Sequence, residues 1–329
     1  APLHDVAGDE ETLPDAGRVL VYHGSESGPS AVADWTAEGE QAYAHFGHAV
    51  GSAGDVDGDG HADLAVGAPL HDGVGTDEGR ACVYHGSATG LQEAEGWAVV
   101  NEQAFAYFGH SLGGAGDVDG DGYDDLIVGA YRYGNGEAGE GRAYAYHGSL
   151  VGLETTPAWT AESNQTWAYF GVAVGTAGDV DGDGYAEVIV GAHGYNGART
   201  DAGRVFIYQG TGDGLTTYSV RFADGTQSYS MFGESVGTAG DVNGDGFADV
   251  VVGSPSYFGE GEESGRAVVY HGADPVNDNE ICAVLGDDPE IEIEEDVFVT
   301  ADIDEDIFMF NGTETEQVTV TLAATSGGG

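Results

Sequence analysis

The chain has 329 residues, of which 58 are Asp or Glu and only 8 are Lys or Arg, so its formal net charge at neutral pH is −50. Such an acidic surface repels nucleic acid phosphates and anionic membranes, and salt or divalent cations screen it. The hydrophobic content of 41% is too high for a disordered acidic chain, and no apolar run approaches the roughly 18 residues of a membrane helix. We therefore expect an extracellular or cell-surface protein that binds no nucleic acid and does not insert into membranes.

The N-terminal segment matches part of a longer internal unit. Residues 1–5 (Ala-Pro-Leu-His-Asp) are identical to residues 68–72, which follow the first of several Asp-rich loops. The chain is therefore expected to start with half a repeat unit, and the exposed strand edges of this half-unit need a pairing partner.

A nine-residue Asp-rich loop is the most informative motif. Its first copy begins at Asp55 and reads Asp-Val-Asp-Gly-Asp-Gly-His-Ala-Asp, and further copies begin at Asp117, Asp179 and Asp241, each 62 residues after the last. Side-chain oxygens occupy positions 1, 3, 5 and 9, and the glycines at positions 4 and 6 let the chain curl so that the oxygens converge. All-oxygen clusters suit hard cations, Ca²⁺ first. Asp/Gly-rich turns also occur without metal, but four copies with one oxygen spacing favour a metal site.

The residues after each loop distinguish it from an EF-hand. An EF-hand loop ends with a bidentate Glu at position 12 and is flanked by helices, whereas position 12 of the first loop is Val66. The loop is followed by Asp63-Leu-Ala-Val-Gly67, a short apolar run closed by Gly that is typical of a buried strand. Position 9 thus takes the carboxylate role that an EF-hand gives to position 12.

The 62-residue period with about four strand-like segments per unit predicts an all-β fold, a β-propeller with one unit per blade. We expect four full blades and one N-terminal half-blade within residues 1–273, followed by a β-rich segment over residues 274–329. The expected ranges are 1–30 for the half-blade and about 31–92, 93–154, 155–216 and 217–273 for the blades.

Further recurrent motifs make the chain resemble FG-GAP repeats, the blades of the integrin α-subunit propeller and of many bacterial surface proteins. Each unit carries Phe-Gly, the acidic loop, a Gly-Ala-Pro-like turn and a Gly-Arg-x-x-x-Tyr strand in this order. The Phe-Gly pairs are Phe46-Gly47, Phe108-Gly109, Phe170-Gly171 and Phe232-Gly233. The resemblance implies that each loop binds Ca²⁺ between the first two strands of a blade, about four sites in all.

Transferred position by position, the resemblance implies ligands at loop positions 1, 3, 5, 7 and 9, with position 7 offering only its backbone carbonyl. The expected metal ligands are Asp55, Asp57, Asp59, His61 and Asp63; Asp117, Asp119, Asp121, Tyr123 and Asp125; Asp179, Asp181, Asp183, Tyr185 and Glu187; and Asp241, Asn243, Asp245, Phe247 and Asp249. Asn243 replaces a carboxylate, so we expect weaker binding at the fourth loop. Glu187 has a longer side chain, so its site is expected to be looser or to reach the ion through water.

Other residues recur at the same period, and we interpret them as structural. One slot, occupied by His23, His85, His147, Gln209 and His271, is spread around the ring and cannot form one histidine site. Trp35, Trp97 and Trp159 are expected to pack between blades, and Trp167 shares a core or rim slot with Tyr43, Phe105 and Tyr229. The arginines Arg18, Arg80, Arg142, Arg204 and Arg266 are expected to form ion pairs between blades.

Three features leave alternatives open. Cys82 lies in a strand-like run and Cys282 in the tail, so either a buried free thiol or a disulfide between them is compatible with the sequence. Asn164 and Asn311 begin glycosylation sequons. The C-terminal segment, with a degenerate loop at Asp302-Ile-Asp304-Glu-Asp306, would close a five-bladed ring, pair with a neighbouring copy by strand exchange in a filament, or start a β-sandwich module. The chain would otherwise be a fragment of a larger ring.

The residue pattern favours a non-enzymatic function. Nearly every polar residue able to do chemistry follows the repeat, whereas a catalytic constellation should break the symmetry at one place. Our first hypothesis is a calcium-stabilised propeller for adhesion or assembly that binds a protein or glycan at the cell surface or copies of itself. The alternatives are a carbohydrate-binding propeller, with Tyr131, Tyr133, Tyr195 and Tyr257 as stacking aromatics in the variable loops, and the accessory propeller of a secreted enzyme.

Overall fold

The computed structural model describes residues 4–7, 12–26, 28–101, 103–259 and 262–273, and all regular secondary structure in these ranges is β-strand. The predicted all-β class is thus confirmed. The predictions for the C-terminal segment, including Cys282, the Asp302 turn and the Asn311 sequon, lie outside the described residues.

The strands follow one another in a regular order. The N-terminal part has β1 (Val6–Ala7) paired with β2 (Thr12–Leu13), and β3 (Arg18–Val21) paired with β4 (Trp35–Glu38). The first four-stranded sheet contains β5 (Ala49–Gly54), β6 (Asp63–Ala68), β7 (Arg80–Tyr84) and β8 (Trp97–Val100). The second contains β9 (Ser111–Gly116), β10 (Asp125–Ala130), β11 (Arg142–Tyr146) and β12 (Trp159–Glu162). The third contains β13 (Ala173–Gly178), β14 (Glu187–Ala192), β15 (Arg204–Tyr208) and β16 (Arg221–Asp224). Then come β17 (Ser235–Gly240), β18 (Asp249–Ser254), the short hairpin of β19 (Phe258–Gly259) and β20 (Glu262–Glu263), and β21 (Arg266–Tyr270); β17, β18 and β21 form a three-stranded sheet.

The sheets are arranged as propeller blades. Within each sheet every strand is antiparallel to the next along the chain. The first strands of successive sheets, β5, β9, β13 and β17, pack against one another in turn. The strand order therefore places β5, β9, β13 and β17 innermost, as the predicted propeller requires.

The hydrogen-bonded sheets are offset from the repeat units expected from the sequence. The strand that begins at Trp97, expected at the start of a unit, is the fourth strand of the sheet that begins at Ala49. Its position follows from pairing, because Trp97 lies opposite Val83 of β7. Likewise β3 and β4 correspond to the third and fourth strands of a blade.

The second strand of a blade is the most deeply buried. Every residue of β10 and of β14 is buried, because each of these strands lies between two neighbouring sheets. The apolar residues of β10, Leu126 and Val128, pack with Phe108, Tyr144 and Tyr146 in one cluster. Full burial of such side chains stabilises the fold by about 1.5–3 kcal/mol each.

The tryptophans connect neighbouring blades, as expected. Trp97 is buried in the first four-stranded sheet. Its indole Nε1 donates a hydrogen bond at 2.9 Å to the carbonyl oxygen of Glu154, which lies between β11 and β12 of the next blade. Trp35 and Trp159 make the equivalent bonds to the carbonyl oxygens of Gln92 and Thr216.

A glutamine that recurs once in each of four units also joins distant segments, a role that its spacing alone does not indicate. The side-chain amide of Gln103 donates to the carbonyl oxygen of Gly134 at 2.8 Å and accepts from the backbone N–H of Gly134 at 2.7 Å. Gln41, Gln165 and Gln227 make the same pair of bonds, each to the residue 31 positions later. The side-chain amide therefore forms with the loop backbone the same pair of hydrogen bonds that a residue of a neighbouring strand would form.

Candidate functional site

The four acidic loops all lie at the same end of their sheets, between the innermost strand and the second strand. A β-bulge precedes the first loop, where the register shifts between Ser52 and Gly54. Gly54 has φ of 84°, a backbone conformation that glycine adopts easily. The bulge turns the chain out of the sheet so that Asp55 points into the loop.

Backbone amides hold the first five loop positions in a tight curl. In the first loop, Asp55 accepts hydrogen bonds from the backbone N–H groups of Asp59 at 3.0 Å and Gly60 at 2.8 Å. Asp59 in turn accepts from the backbone N–H of His61 at 2.9 Å. The second and fourth loops repeat the position-1 bonds through Asp117 and Asp241.

The carboxylate at position 9 connects three strands. Asp125 is completely buried, and its two oxygens accept from the backbone N–H groups of Val118 and Gly148, each at 2.8 Å. Val118 follows the innermost strand and Gly148 follows the third strand. Asp63, Glu187 and Asp249 accept the equivalent pairs of bonds. Glu187 therefore reaches the same two segments as the aspartates despite its longer side chain.

The predicted ligands are brought together in the first three loops. One oxygen from each member lies within 4.8 Å of the others in three sets: Asp55, Asp57 and Asp59; Asp117, Asp119 and Asp125; and Asp179, Asp181 and Glu187. In the fourth loop, the amide of Asn243 donates to Asp245 at 2.6 Å.

Burial makes these carboxylates costly to ionise unless a cation is bound. Burial raises the pKa of Asp125 to about 7 and that of Glu187 to about 8. It also raises the pKa of Asp63, Asp119 and Asp181. Carboxylates that converge at a partly buried point fit the donor set of a hard divalent cation such as Ca²⁺.

The recurrent His/Gln slot lies beside the loops, which the sequence analysis did not foresee. As expected, the slot residues do not converge with one another. Each of the four that follow an acidic loop contacts carboxylates of that loop. His85 Nδ1 is 3.3 Å from Asp57 and 3.4 Å from Asp63. His147 and His271 approach Asp119 and Asp249, and Gln209 donates to Asp181 and Asp183.

Successive loops are also connected to each other. The backbone N–H at position 8 of one loop donates to the position-1 carbonyl oxygen of the preceding loop, as Asp124 does to Asp55 at 3.1 Å. Ala186 and Ala248 repeat this bond to Asp117 and Asp179. The rings of Tyr123, Tyr185 and Phe247 at position 7 lie against the position-4 glycines Gly58, Gly120 and Gly182 of the preceding loops.

The opposite end of the sheets carries a row of exposed aromatic side chains, which we call the aromatic row: Tyr43, Phe105, Trp167 and Tyr229. Their exposed fractions lie between 51% for Trp167 and 63% for Tyr229. Each has a positive φ, between 59° and 63°, so the backbone turn directs the ring away from the core. The sequence left open whether this slot lies in the core or at the rim, and the structure places it at the rim.

The tyrosines expected to stack on sugars are instead used within the fold. The guanidinium of Arg142 lies 3.9 Å from the ring centre of Tyr133, and that of Arg204 lies 4.3 Å from Tyr195. Arg266 lies over Tyr257 at 5.3 Å. An arginine therefore covers one face of each of these three rings.

Four of the five recurrent arginines form ion pairs within a blade, so the expectation of pairs between blades is wrong for these four. Arg142 is paired with Glu162, and Arg204 with Asp224 at 2.5 Å. The reason is the register of the third and fourth strands, which places Arg142 directly opposite Glu162. Arg18 lies opposite Glu38 and pairs with it in the same way. Arg80 lies opposite Val100 and pairs instead with Glu95, in the segment just before β8.

The repeat symmetry is broken near the starts of the innermost strands, by a group that we call the inner cluster: His48, His110, Tyr131, His193 and Glu234. The His110 ring lies 4.8 Å from His48 and 4.4 Å from Tyr131, measured between ring centres. His193 Nδ1 is 2.5 Å from a carboxylate oxygen of Glu234. The repeat pattern does not reveal this cluster, because its members come from two different slots of four units.

Two further expectations concern single features. The Cys82 thiol is free and buried, which agrees with the expectation of a buried thiol. Within the part of the chain that the structure describes, no helix is long and apolar enough to cross a membrane.

Comparison with known proteins identifies the repeats. The FG-GAP repeat model matches residues 46–84, 108–146, 170–208 and 232–270, and each match runs from the Phe-Gly pair to the tyrosine that ends the third strand. The chain is 34% identical to integrin alpha-5 of Xenopus laevis over 179 residues, which is 52% of this chain and 17% of that protein. It is 35% identical to integrin alpha-V of Gallus gallus over 203 residues, 59% of this chain and 19% of that protein.

The human relative integrin alpha-IIb is 36% identical over 165 residues, 48% of this chain and 16% of that protein. The chain thus matches less than a fifth of the length of these integrin subunits. Among solved structures, rhamnogalacturonan lyase YesW is similar with a TM-score of 0.38 and 16% identity, over 77% of this chain and 44% of the lyase, too distant to inform function. The four matched repeats of this chain, each contained in one sheet of the propeller, place the chain in the FG-GAP repeat family of integrin α-like propellers.

Proposed function

We propose that this protein is a calcium-stabilised propeller in which each acidic loop holds one Ca²⁺ ion as a structural element of its blade. The observation that carries the proposal is the buried carboxylate at position 9. Asp125 links the ends of the first and third strands through two backbone hydrogen bonds, yet burial raises its pKa to about 7. A bound dication would stabilise the ionised form of this carboxylate and so hold the blade together.

A calcium titration tests this proposal. We expect metal analysis to give about four Ca²⁺ ions per chain, with dissociation constants on the order of 10⁻⁴ to 10⁻³ M, as in extracellular modules. Asp125→Asn should remove one ion and lower the melting temperature measured in Ca²⁺. The matched control Asp213→Asn changes an exposed aspartate outside the loops and should alter neither quantity. Equal melting temperatures in Ca²⁺ and in EDTA would exclude a structural role for the ion.

We further propose that the protein acts outside the cell in adhesion or assembly and is not an enzyme. The relation to integrin α subunits and the strongly acidic surface support this role. The ligand would be a protein or glycan at a cell surface, or a second copy of the chain. The inner cluster is the place where an enzymatic function would reside, so turnover by this polypeptide that is lost in His110→Gln would contradict the proposal.

The aromatic row favours glycan binding as a second candidate function. Exposed aromatic rings at one end of the sheets can stack on the apolar faces of sugar rings, and Trp167 is the largest of them. On a glycan array, we expect binding that Trp167→Ala and Phe105→Ala abolish. The control Tyr133→Ala, which removes a ring that Arg142 covers, should retain binding if the protein remains folded. Array binding that survives both aromatic-row substitutions would argue against this function.

A further inference from the structure

The first acidic loop differs from the third in the side chain that closes it. In the third loop, the side-chain amide of Gln209 donates hydrogen bonds of 3.0 and 2.9 Å to Asp181 and Asp183, so the slot residue has hydrogen-bond partners. In the first loop, His85 Nδ1 lies 3.3 and 3.4 Å from oxygens of Asp57 and Asp63 but makes no hydrogen bond. The same slot thus holds a satisfied amide in one blade and an unsatisfied imidazole nitrogen in another.

The imidazole of His85 is held in this orientation from two sides. His85 is only 9% exposed. A methyl group added at Gly96 would clash with the His85 ring, and one added at Gly152 of the next blade would touch it. The residues that correspond to Gly96 in the next two units are Ala158 and Val220, so of these three units only this one has no side chain at this position. Gly96 and Gly152 therefore flank the His85 ring, and its Nδ1 faces the two carboxylates.

The distances match those between ligands of a small borderline cation. Asp57, Asp63 and His85 each place a ligand atom within 4.8 Å of the others. Two ligand atoms of a tetrahedral zinc ion, each about 2.0–2.1 Å from the metal, lie about 3.3 Å apart. Imidazole together with carboxylate suits Zn²⁺ and related transition ions, whereas Ca²⁺ prefers oxygen ligands alone.

We infer that the first loop is a mixed nitrogen–oxygen site that binds a transition dication of the zinc class through His85, Asp57 and Asp63, in competition with Ca²⁺. The inference rests on the proposed function, since it assumes that the loops bind cations. The third loop, closed by Gln209, remains an all-oxygen site. His147 approaches only one carboxylate, Asp119, and the imidazole of His271 is half exposed beside Asp249, so neither forms the same three-ligand group.

Cadmium NMR and zinc competition test the inference. Cd²⁺ has nearly the size of Ca²⁺, and its ¹¹³Cd resonance moves downfield when a nitrogen ligand replaces an oxygen. We expect one downfield ¹¹³Cd resonance in the loaded protein, lost in His85→Gln and retained in His147→Gln. In competition titrations with Ca²⁺ present, His85→Gln should weaken zinc binding at this site at least tenfold and leave the number of bound Ca²⁺ ions unchanged.

A second variant covers the case in which His85→Gln does not fold. Gly96→Ala introduces the residue found at position 158, and it should displace the His85 ring and remove the same downfield resonance. Resonances that all lie in the oxygen-only range, or a downfield signal that persists in both variants, would overturn the inference while leaving calcium binding intact. A protein that binds neither Ca²⁺ nor Cd²⁺ would instead contradict the proposed function itself.

Discussion

At the residue scale, His110 shows how packing changes the chemistry of a side chain. Its ring lies against His48 and Tyr131 in the inner cluster, with His193 and Glu234 close by. Burial, with a smaller contribution from the nearby His48, lowers the pKa of His110 to about 4. The side chain therefore stays neutral down to about pH 4, whereas an exposed histidine, whose ordinary pKa is about 6.5, already gains its proton below that pH.

This shift predicts a loss of stability in mild acid. Because the pKa of His110 is lower in the folded than in the unfolded state, the unfolded chain binds the proton first, and stability that is full above pH 6.5 is lost as the pH falls toward 4. Between pH 6.5 and 4, we expect the free energy of unfolding of His110→Gln to fall by about 1–3 kcal/mol less than that of the wild type. Urea unfolding between pH 7 and 4 in saturating Ca²⁺ measures the difference.

The control for this experiment is His4→Gln, which replaces a histidine outside both the inner cluster and the acidic loops. It should leave the pH dependence close to that of the wild type. An unchanged slope in His110→Gln would show that His110 is not the group responsible.

At the element scale, contact between blades depends on glycines in the second strands. Gly129 of β10 lies against the carbonyl group of Gly171, which belongs to the Phe-Gly pair of the next unit. A Cβ atom at Gly129 would be placed far inside van der Waals contact with that carbonyl oxygen and with Ser111. Gly67 and Gly191 meet Gly109 and Gly233 in the same way. The second strand of one blade and the Phe-Gly turn of the next therefore touch backbone to backbone.

Gly129→Ala should consequently destabilise the protein, because overpacking against a backbone atom costs about 1–3 kcal/mol or more. Gly113→Ala is the matched control: Gly113 lies in the neighbouring strand β9 and has no atom within 4 Å of an added Cβ. We expect the control to be neutral or slightly stabilising. Thermal unfolding of both variants in Ca²⁺ provides the comparison, and equal melting temperatures would contradict the role of the close contact.

The glutamine that pairs with a loop 31 residues later gives a second prediction at this scale. Gln103→Ala removes two hydrogen bonds to Gly134, each with a net contribution of about 0.5–1.5 kcal/mol. We expect a loss of roughly 1–3 kcal/mol in the free energy of unfolding and faster amide exchange at Gly134. Gln92→Ala, an exposed glutamine, should change neither. Unchanged exchange at Gly134 in Gln103→Ala would show that the pairing does not hold the loop.

At the scale of the whole molecule, the acidic loops connect stability to both calcium and pH. Without a cation, the folded state raises the pKa of Asp125 to about 7 and that of Glu187 to about 8. A raised carboxyl pKa contributes stability that is present at low pH and is lost as the pH rises through the folded value. Calcium binding requires the ionised carboxylates, so it strengthens over the same range.

We therefore expect the two forms of the protein to respond to pH in different ways. In EDTA, the melting temperature should fall as the pH rises from 5 to 8.5, whereas in saturating Ca²⁺ it should not fall. Differential scanning calorimetry of the two forms measures both slopes. The same slope with and without Ca²⁺ would mean that the loops are not the origin of the pH dependence.

Much of this architecture can be predicted from the sequence, because a fixed period reports which residues occupy equivalent places. The buried strands after the loops follow from the sequence for that reason. The period does not report what faces each place across the sheet. Arg142 pairs with Glu162 through strand register, and Tyr133 lies under Arg142, so neither contact follows from the spacing. The contacts of His85 depend on space left by Gly96, which no spacing rule reveals.

The backbone hydrogen bonds between successive loops all run in the same direction along the chain. Each loop supports the one before it, since the amide of Asp124 holds the carbonyl of Asp55, and Ala186 then holds Asp117. Ala248 holds Asp179 in the same way. Because each bond joins a donor in one loop to an acceptor in the loop before it, the loss of the second loop leaves an unpaired backbone group in both the first and the third. Neighbouring blades should therefore lose their structure together.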